Sequence, residues 1–314
     1  MSNILKLVAA AAAILTLSQV SSHAQATRTW VTGAGGSDAN PCSRTAPCQT
    51  FAGAITKTAI NGIIDCIDSG AYGAVTITKS ITIDCHENFA GILASGTTGI
   101  VINIAAGNAN DPLRSVRIRN LIIDGTGSSG TVGTRTGIRG IRIDNANSVF
   151  IEDTMIRNFT QQGILDQRTT GGDLFINNTT VQHNAGAGIT IAPSSGAVKI
   201  EASLLNVISE RNAEGLRVGS GARVMVKRSI FSGNTNGVVS EGPAGVSRVS
   251  VDDSSISGNT TGAVRLGGGA IRFSNTDFAH NATARTGANL FSFGNNRLTD
   301  NISDGDAFTP QAQE

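Results

Sequence analysis

Tryptophan and tyrosine each occur once in the 314 residues, and phenylalanine only eleven times. Surfaces that grip neutral sugars tightly display aromatic platforms, so this scarcity argues against such a grip and leaves charge as the means of holding a ligand. Charge itself is balanced. The formal net charge is +1, and loss of Lys6 with the leader described below takes it to zero, which argues against nucleic acid as a partner. Beyond residue 24 no apolar run approaches the roughly 20 residues that a membrane helix needs. There are four cysteines and no Cys-x-x-Cys pair, so a zinc knuckle is not indicated. The acidic residues do not cluster as calcium ligands do. No metal or cofactor is therefore expected, with calcium left open.

What the chain has in abundance is a repeat. Val224-Met-Val-Lys-Arg-Ser-Ile-Phe-Ser-Gly-Asn234, Val249-Ser-Val-Asp-Asp-Ser-Ser-Ile-Ser-Gly-Asn259 and Ile271-Arg-Phe-Ser-Asn-Thr-Asp-Phe-Ala-His-Asn281 share one frame. The first two are followed by Gly237-Val-Val and Gly262-Ala-Val. Anchor asparagines fall at Asn158, Asn184, Asn212, Asn234, Asn259 and Asn281, spaced by 26, 28, 22, 25 and 22 residues. Within each unit the apolar residues alternate with period two in three short runs, which reads as three strands. Gly, Asn, Ser and Thr between the runs supply turns. A fixed period of this length means a solenoid. A leucine-rich repeat would need Leu at the inward positions, where this chain has Val, Ile and Phe (Val249, Val251, Ile256). The reading is an all-β, single-domain parallel β-helix of about nine or ten rungs, a rod roughly 45 Å long. The anchor asparagines are expected to form a stacked ladder. Asn158, Asn259 and Asn281 also begin Asn-x-Thr triplets, the eukaryotic glycosylation signal.

Residues 1–24 read as a signal peptide, with Lys6, an apolar core from Leu7 to Leu17 and Ser22-His23-Ala24 before the cleavage point. A secreted or periplasmic location follows. Residues 25–62 read as an N-terminal cap with a short helix over Thr50-Phe-Ala-Gly-Ala-Ile-Thr-Lys-Thr-Ala, 63–302 as the β-helix and 303–314 as a flexible tail. Loops are expected at Asn108–Pro112 and Gly125–Thr136. Export permits disulfides. Of three possible pairings, Cys42–Cys48 and Cys66–Cys85 are favoured, the first closing a tight loop and the second joining strand-like segments 19 residues apart, near one rung.

Trp30-Val-x-Gly-x-Gly-Gly-Ser-Asp38-Ala-Asn-Pro41-Cys, then Pro47-Cys-x-Thr50-Phe51-x-x-Ala54-Ile55, resembles the opening of exported proteins of the pectate-lyase-like superfold. The resemblance implies a right-handed parallel β-helix. It does not select a function, because the superfold includes polysaccharide lyases, hydrolases, epimerases, adhesins and members of unknown activity. It also implies that the Gly-led strands (Gly215-Leu-Arg-Val, Gly237-Val-Val) belong to the sheet that binds polysaccharide. Outward positions there include Arg142, Thr190, Arg217 and Arg265. Such a row of arginines would grip carboxylates or sulfates along an acidic polysaccharide.

Other residues are weighed against repeat positions. Asn275-Thr-Asp277 and Asp252-Asp253 are similar to carboxylate motifs of polygalacturonase-like hydrolases, but the Gly-His-Gly and Arg-Ile-Lys elements of that family are absent. Rung alignment places Glu201, Lys227 and Asp252 at one position, and Arg228 with Asp253 at the next, which predicts surface charge ladders. Of His86, His183 and His280, the last two each precede an anchor Asn and read as turn residues. Most phenylalanines fall on inward positions (Phe231, Phe273, Phe278), with Phe175 an exception by frame. The stretch Arg114, Arg117, Arg119, Arg135, Arg139 is strongly basic and matches an anionic ligand. The expected function is binding of acidic polysaccharide or cell-envelope material by a monomer, without catalysis. The alternatives are a lyase or hydrolase on uronate-containing glycans, and a structural or adhesive surface protein.

Overall fold

The computed structural model describes residues 25–86, 88–127, 134–194, 198–243 and 247–312. The expected signal at 1–24 and part of the loop expected at Gly125–Thr136 lie outside these residues. Three parallel sheets of 12, 10 and 9 strands wrap one core. We call them the first, second and third sheet, in the order in which the chain visits them within a turn. Nine rungs contribute a strand to all three, as the nine-stranded sheet requires. The chain forms a right-handed parallel β-helix.

One rung shows why these residues fold so. In the strand Ala222–Lys227, Val224 and Val226 point inward and are buried, while Arg223, Met225 and Lys227 are exposed. Ile230–Ser232 and Asn236–Gly242 complete the turn in the second and third sheets. Parallel pairing then stacks like on like. Ile83, Ile118, Ile151, Ile176, Leu204, Val226, Val251 and Phe273 form one continuous inward line, each 0–1% exposed. Burying each such side chain stabilises by about 1.5–3 kcal/mol, but only when a neighbouring rung covers it.

The corners need a left-handed residue. Between first and second sheets it is Asn120, Asp153, Asn178, Asn206, Arg228, Asp253 and Asn275 in successive rungs, with φ between 45° and 58°. Asn and Asp tolerate this region better than other non-glycine residues. Between second and third sheets it is Asn158, His183, Arg211, Gly233, Gly258, His280 and Asp300. Both predicted turn histidines occupy this row.

The residue after each left-handed position in the second corner builds the ladder. The backbone N–H of Asn184 donates to Oδ1 of Asn212 at 2.9 Å, and the same bond links Asn212 to Asn234, Asn234 to Asn259, Asn259 to Asn281 and Asn281 to Asn301 at 2.9–3.0 Å. Nδ2 of Asn259 donates to Phe231 O and to Asn281 Oδ1, both at 3.0 Å. Asn158 is not a rung of this ladder. It takes the left-handed position (φ 66°), and Phe159 stands where the asparagine would be, its N–H donating to Asn184 Oδ1 at 3.1 Å. The last rung is Asn301, one repeat beyond the predicted set.

Both ends are closed. The helix at the N-terminal end spans Phe51–Lys57, capped by Thr50 Oγ1, which accepts from Gly53 N–H. The cap also contributes a strand, Ala26–Val31, paired with Thr58–Cys66. Cys42–Cys48 and Cys66–Cys85 are disulfides. At the other end, the stretch expected to be a flexible tail folds back instead. Ser303 bridges Thr283, Thr309–Pro310 adds a strand, and Phe308 packs against Phe273 and Phe278 with ring centroids 5.7 Å away from each. An open end would leave these two rings in water. Among the described residues no helix is long and apolar enough to cross a membrane.

Asn259→Ala should destabilise the protein by about 2–4 kcal/mol, since it orphans buried groups in two adjacent rungs. Asn158→Gly keeps the left-handed backbone and loses the bond from Nδ2 to Asp124 Oδ1 (3.1 Å) but no ladder bond, so it should cost less, about 1–2 kcal/mol. Denaturant unfolding of the two variants checks the ranking.

Candidate functional site

The register decides which predicted residues meet. Arg142, Leu165, Thr190, Arg217, Val239 and Val264 share one line of the third sheet. Arg142 and Arg217 are therefore three rungs apart, roughly 14 Å. Arg265 is not in that line. It pairs with Ser240, which pairs with Val218, one residue further along the strand. Its Nε donates to Gly269 O at 2.7 Å, which turns the side chain back on its own loop.

The remaining two arginines are already compensated. Arg142 Nε lies 3.0 Å from Asp144 Oδ2. Arg217 pairs with Glu214 at 2.5 Å and with Glu241. Burial works against the Arg217 cation, but those hydrogen bonds outweigh it and hold the guanidinium above its ordinary pKa. Thr190 between them is buried, with Oγ1 unpartnered. The third-sheet row presents paired charge.

The other candidates disperse. Arg114 is buried and donates to Ile104 O. Arg119 sits between Asp84 at 3.4 Å and Glu152 at 3.2 Å, and Arg139 donates to Gln162 Oε1 at 2.9 Å. Asp252 pairs with Lys227 at 3.1 Å, as the charge-ladder reading requires, but Glu201 aligns with Arg223, not with Lys227. Glu201 sits near the start of its strand, Ile200–Leu205, whereas Lys227 ends its own and faces Leu205. Hydrolysis of a glycoside needs a carboxylic acid whose pKa is raised. Arg297 holds the Asp277 carboxyl below its ordinary value. Asp252 is also lowered, since hydrogen bonds and the charge of Lys227 override its burial. Neither is placed as a general acid.

The outer face of the first sheet presents a different constellation. Its central outward line runs Arg117, Phe150, Phe175, Ser203, Met225, Ser250, Arg272, Phe291. Phe150 and Phe175 stack with centroids 4.8 Å apart and planes 11° from parallel. Arg117 lies over Phe150 at 4.5 Å, and Arg272 over Phe291 at 5.2 Å. Met225 is 60% exposed. A neighbouring outward line runs Asp173, Glu201, Arg223, Arg248. The stretch of the first line from Phe175 to Arg272, with the whole of the second, borders a groove of about 470 Å³.

Arg223 and Arg248 are direct cross-strand partners. Like charges in that position destabilise a sheet. Glu201 relieves Arg223 at 3.2 Å. Among the described residues, Arg248 and Arg272 have no carboxylate within the 4.0 Å of an ion pair. In this groove Phe175 and Met225 lie beside two uncompensated cations, with Phe150 stacked on Phe175 at its edge. Sequence reasoning passed over it, although the signal was present: Phe150, Phe175, Met225, Ser250 and Arg272 are each the middle residue of an inward-outward-inward triplet.

No protein-family model matches the chain, and no curated protein matches its sequence. Solved structures do match in fold. The pectate lyase Pel9A superposes with a TM-score of 0.63 at 13% identity, over 90% of this chain and 79% of that one. The A-module of the Azotobacter vinelandii mannuronan C-5 epimerase AlgE4 gives 0.49 at 12% identity, over 81% and 91%. The tailspike gp49 of Acinetobacter baumannii bacteriophage Fri1, a capsular polysaccharide depolymerase, gives 0.43 at 10% identity, over 80% and 52%. The likeness to Pel9A, at 13% identity, establishes the β-helix fold.

Arg248→Glu replaces a like-charge cross-strand pair with an opposite one. It should raise stability by about 0.2–1 kcal/mol, read as an upward shift in a thermal melt. A lowered melting temperature would mean that Arg248 has a stabilising partner after all.

Proposed function

We propose that this protein is an exported monomeric β-helix that binds an extended acidic polysaccharide along the outer face of its first sheet, without cleaving it. The observation that carries this reading is the Arg223–Arg248 pair with Arg272 nearby, beside the stacked Phe150 and Phe175. A fold gains nothing from leaving Arg248 and Arg272 without a carboxylate. A chain of carboxylates or sulfates supplies the missing counter-charge through bidentate bonds, while the rings and Met225 take the apolar faces of the sugars. Rungs about 4.8 Å apart repeat these contacts along the rod, which suits a linear polymer. The likeness in fold to a pectate lyase supports a polysaccharide ligand by analogy. The two disulfides support a location outside a reducing cytosol.

The competing reading is a lyase, which removes the proton α to a uronate carboxylate with a Lys or Arg base. Binding and turnover separate the two. The full chain is titrated with polyuronate and sulfated glycans by calorimetry, and the same mixtures are followed by ultraviolet absorbance for unsaturated sugar ends. Binding without absorbance growth is expected. Arg248→Ala with Arg272→Ala should weaken it about tenfold or more, while Arg142→Ala should not. Chelation should leave it unchanged, because the site proposed here uses no calcium. Growing absorbance would establish the lyase instead, and unchanged affinity in the double variant would move the site off this face.

A further inference from the structure

A second cluster lies at the corner between the second and third sheets, on another edge of the solenoid. In the left-handed row, Gly233 and Gly258 follow His183 and Arg211. A Cβ on Gly233 would meet Arg211 Cγ at 3.6 Å, and one on Gly258 would meet Gly233 N at 3.9 Å. The missing side chains leave a cavity of about 420 Å³, into which Arg135 comes from a distant part of the chain.

The hydrogen bonding there is one-sided. Arg211 Nη1 is 3.4 Å from His183 Nε2. A guanidinium only donates, so Nε2 accepts, and the hydrogen of the neutral ring sits on Nδ1. That Nδ1 is buried and has no partner. Nε of Arg135 is also buried without a partner. Among the described residues, neither Arg135 nor Arg211 has a carboxylate within the 4.0 Å of an ion pair. Two buried donors, His183 Nδ1 and Arg135 Nε, thus lack an acceptor beside the exposed Arg211 guanidinium, although buried donors are almost always satisfied. Burial, then Arg211, lower the His183 pKa, with Arg135 and Arg157 adding to them against Glu210. The ring is therefore neutral near pH 7, as the donor assignment needs.

We infer that Arg135, His183 and Arg211 form an oxyanion pocket that takes a compact phosphate or sulfate group, separate from the polysaccharide groove. Two guanidinium forks and an imidazole N–H offer more donors than the two oxygens of a carboxylate absorb. A phosphate or sulfate ester presents three free oxygens. Glycines at the next two turns leave room for the group that carries it.

The test uses the full chain with inorganic phosphate, inorganic sulfate and acetate, followed by calorimetry and thermal melting. Phosphate or sulfate should bind and raise the melting temperature, with acetate at least about tenfold weaker. Arg211→Asn keeps a residue suited to the left-handed backbone, so it should fold. It should weaken anion binding about tenfold or more, and so should Arg135→Gln. Arg297→Ala, at an exposed ion pair outside both sites, should leave it unchanged. Proton resonances of His183 should shift on adding the anion. A sugar phosphate compared with a sugar sulfate then separates the two sources of the group. Absence of any response to phosphate and sulfate overturns the proposal, as does acetate binding equally well or folded Arg211→Asn binding like wild type.

Discussion

Parallel pairing between successive rungs is the constraint on which the rest of this structure depends. It holds equivalent residues at a fixed separation of about 4.8 Å and allows no side chain to choose its neighbours independently. Inward lines such as Ile83 to Phe273 then become a dry core. The same rule makes the second corner a continuous amide ladder from Asn184 to Asn301. It also places a left-handed residue, Asn or Asp except at Arg228, at the first corner of seven successive rungs from Asn120 to Asn275.

Outside the core, stacking becomes an electrostatic rule. Opposite charges on adjacent rungs stabilise, and like charges do not. Most of the surface obeys: Asp84, Arg119 and Glu152 alternate, Lys227 meets Asp252, and Arg157 meets Asp124. Arg217 is held between Glu214 and Glu241. Against this background the Arg223–Arg248 contact and the donors around His183 stand out. A site in a solenoid is recognised where the stacking rule is broken, more than by any single residue type.

The period, the three strands per turn and the inward residues were all legible, because period-two alternation in short runs has few structural solutions. Sequence and structure part where one residue of register matters. Arg265 does not stand beside Arg217, because it lies three residues after its glycine and Arg217 only two. The spacing of Asn158 is close to the repeat, but Phe159 occupies that rung. A one-residue slip turns an outward side chain inward, so a spacing that is nearly right misassigns a site. The C-terminal stretch is no tail, because Phe273 and Phe278 on the last rungs need a cover, which Phe308 provides.

The sequence by itself determined the architecture and the favoured disulfide pairs, because both follow from local spacing and from an alternation that recurs. Only the tertiary structure decided which charges are free. Arg142, Arg217, Arg248 and Arg272 look alike in the chain, and two of them lose their availability to carboxylates on their own or a neighbouring rung. Arg135 reaches His183 and Arg211 across dozens of residues, a meeting that no local pattern encodes. Ion pairing depends on angstroms between side chains of different turns, and those distances exist only once the rungs have stacked.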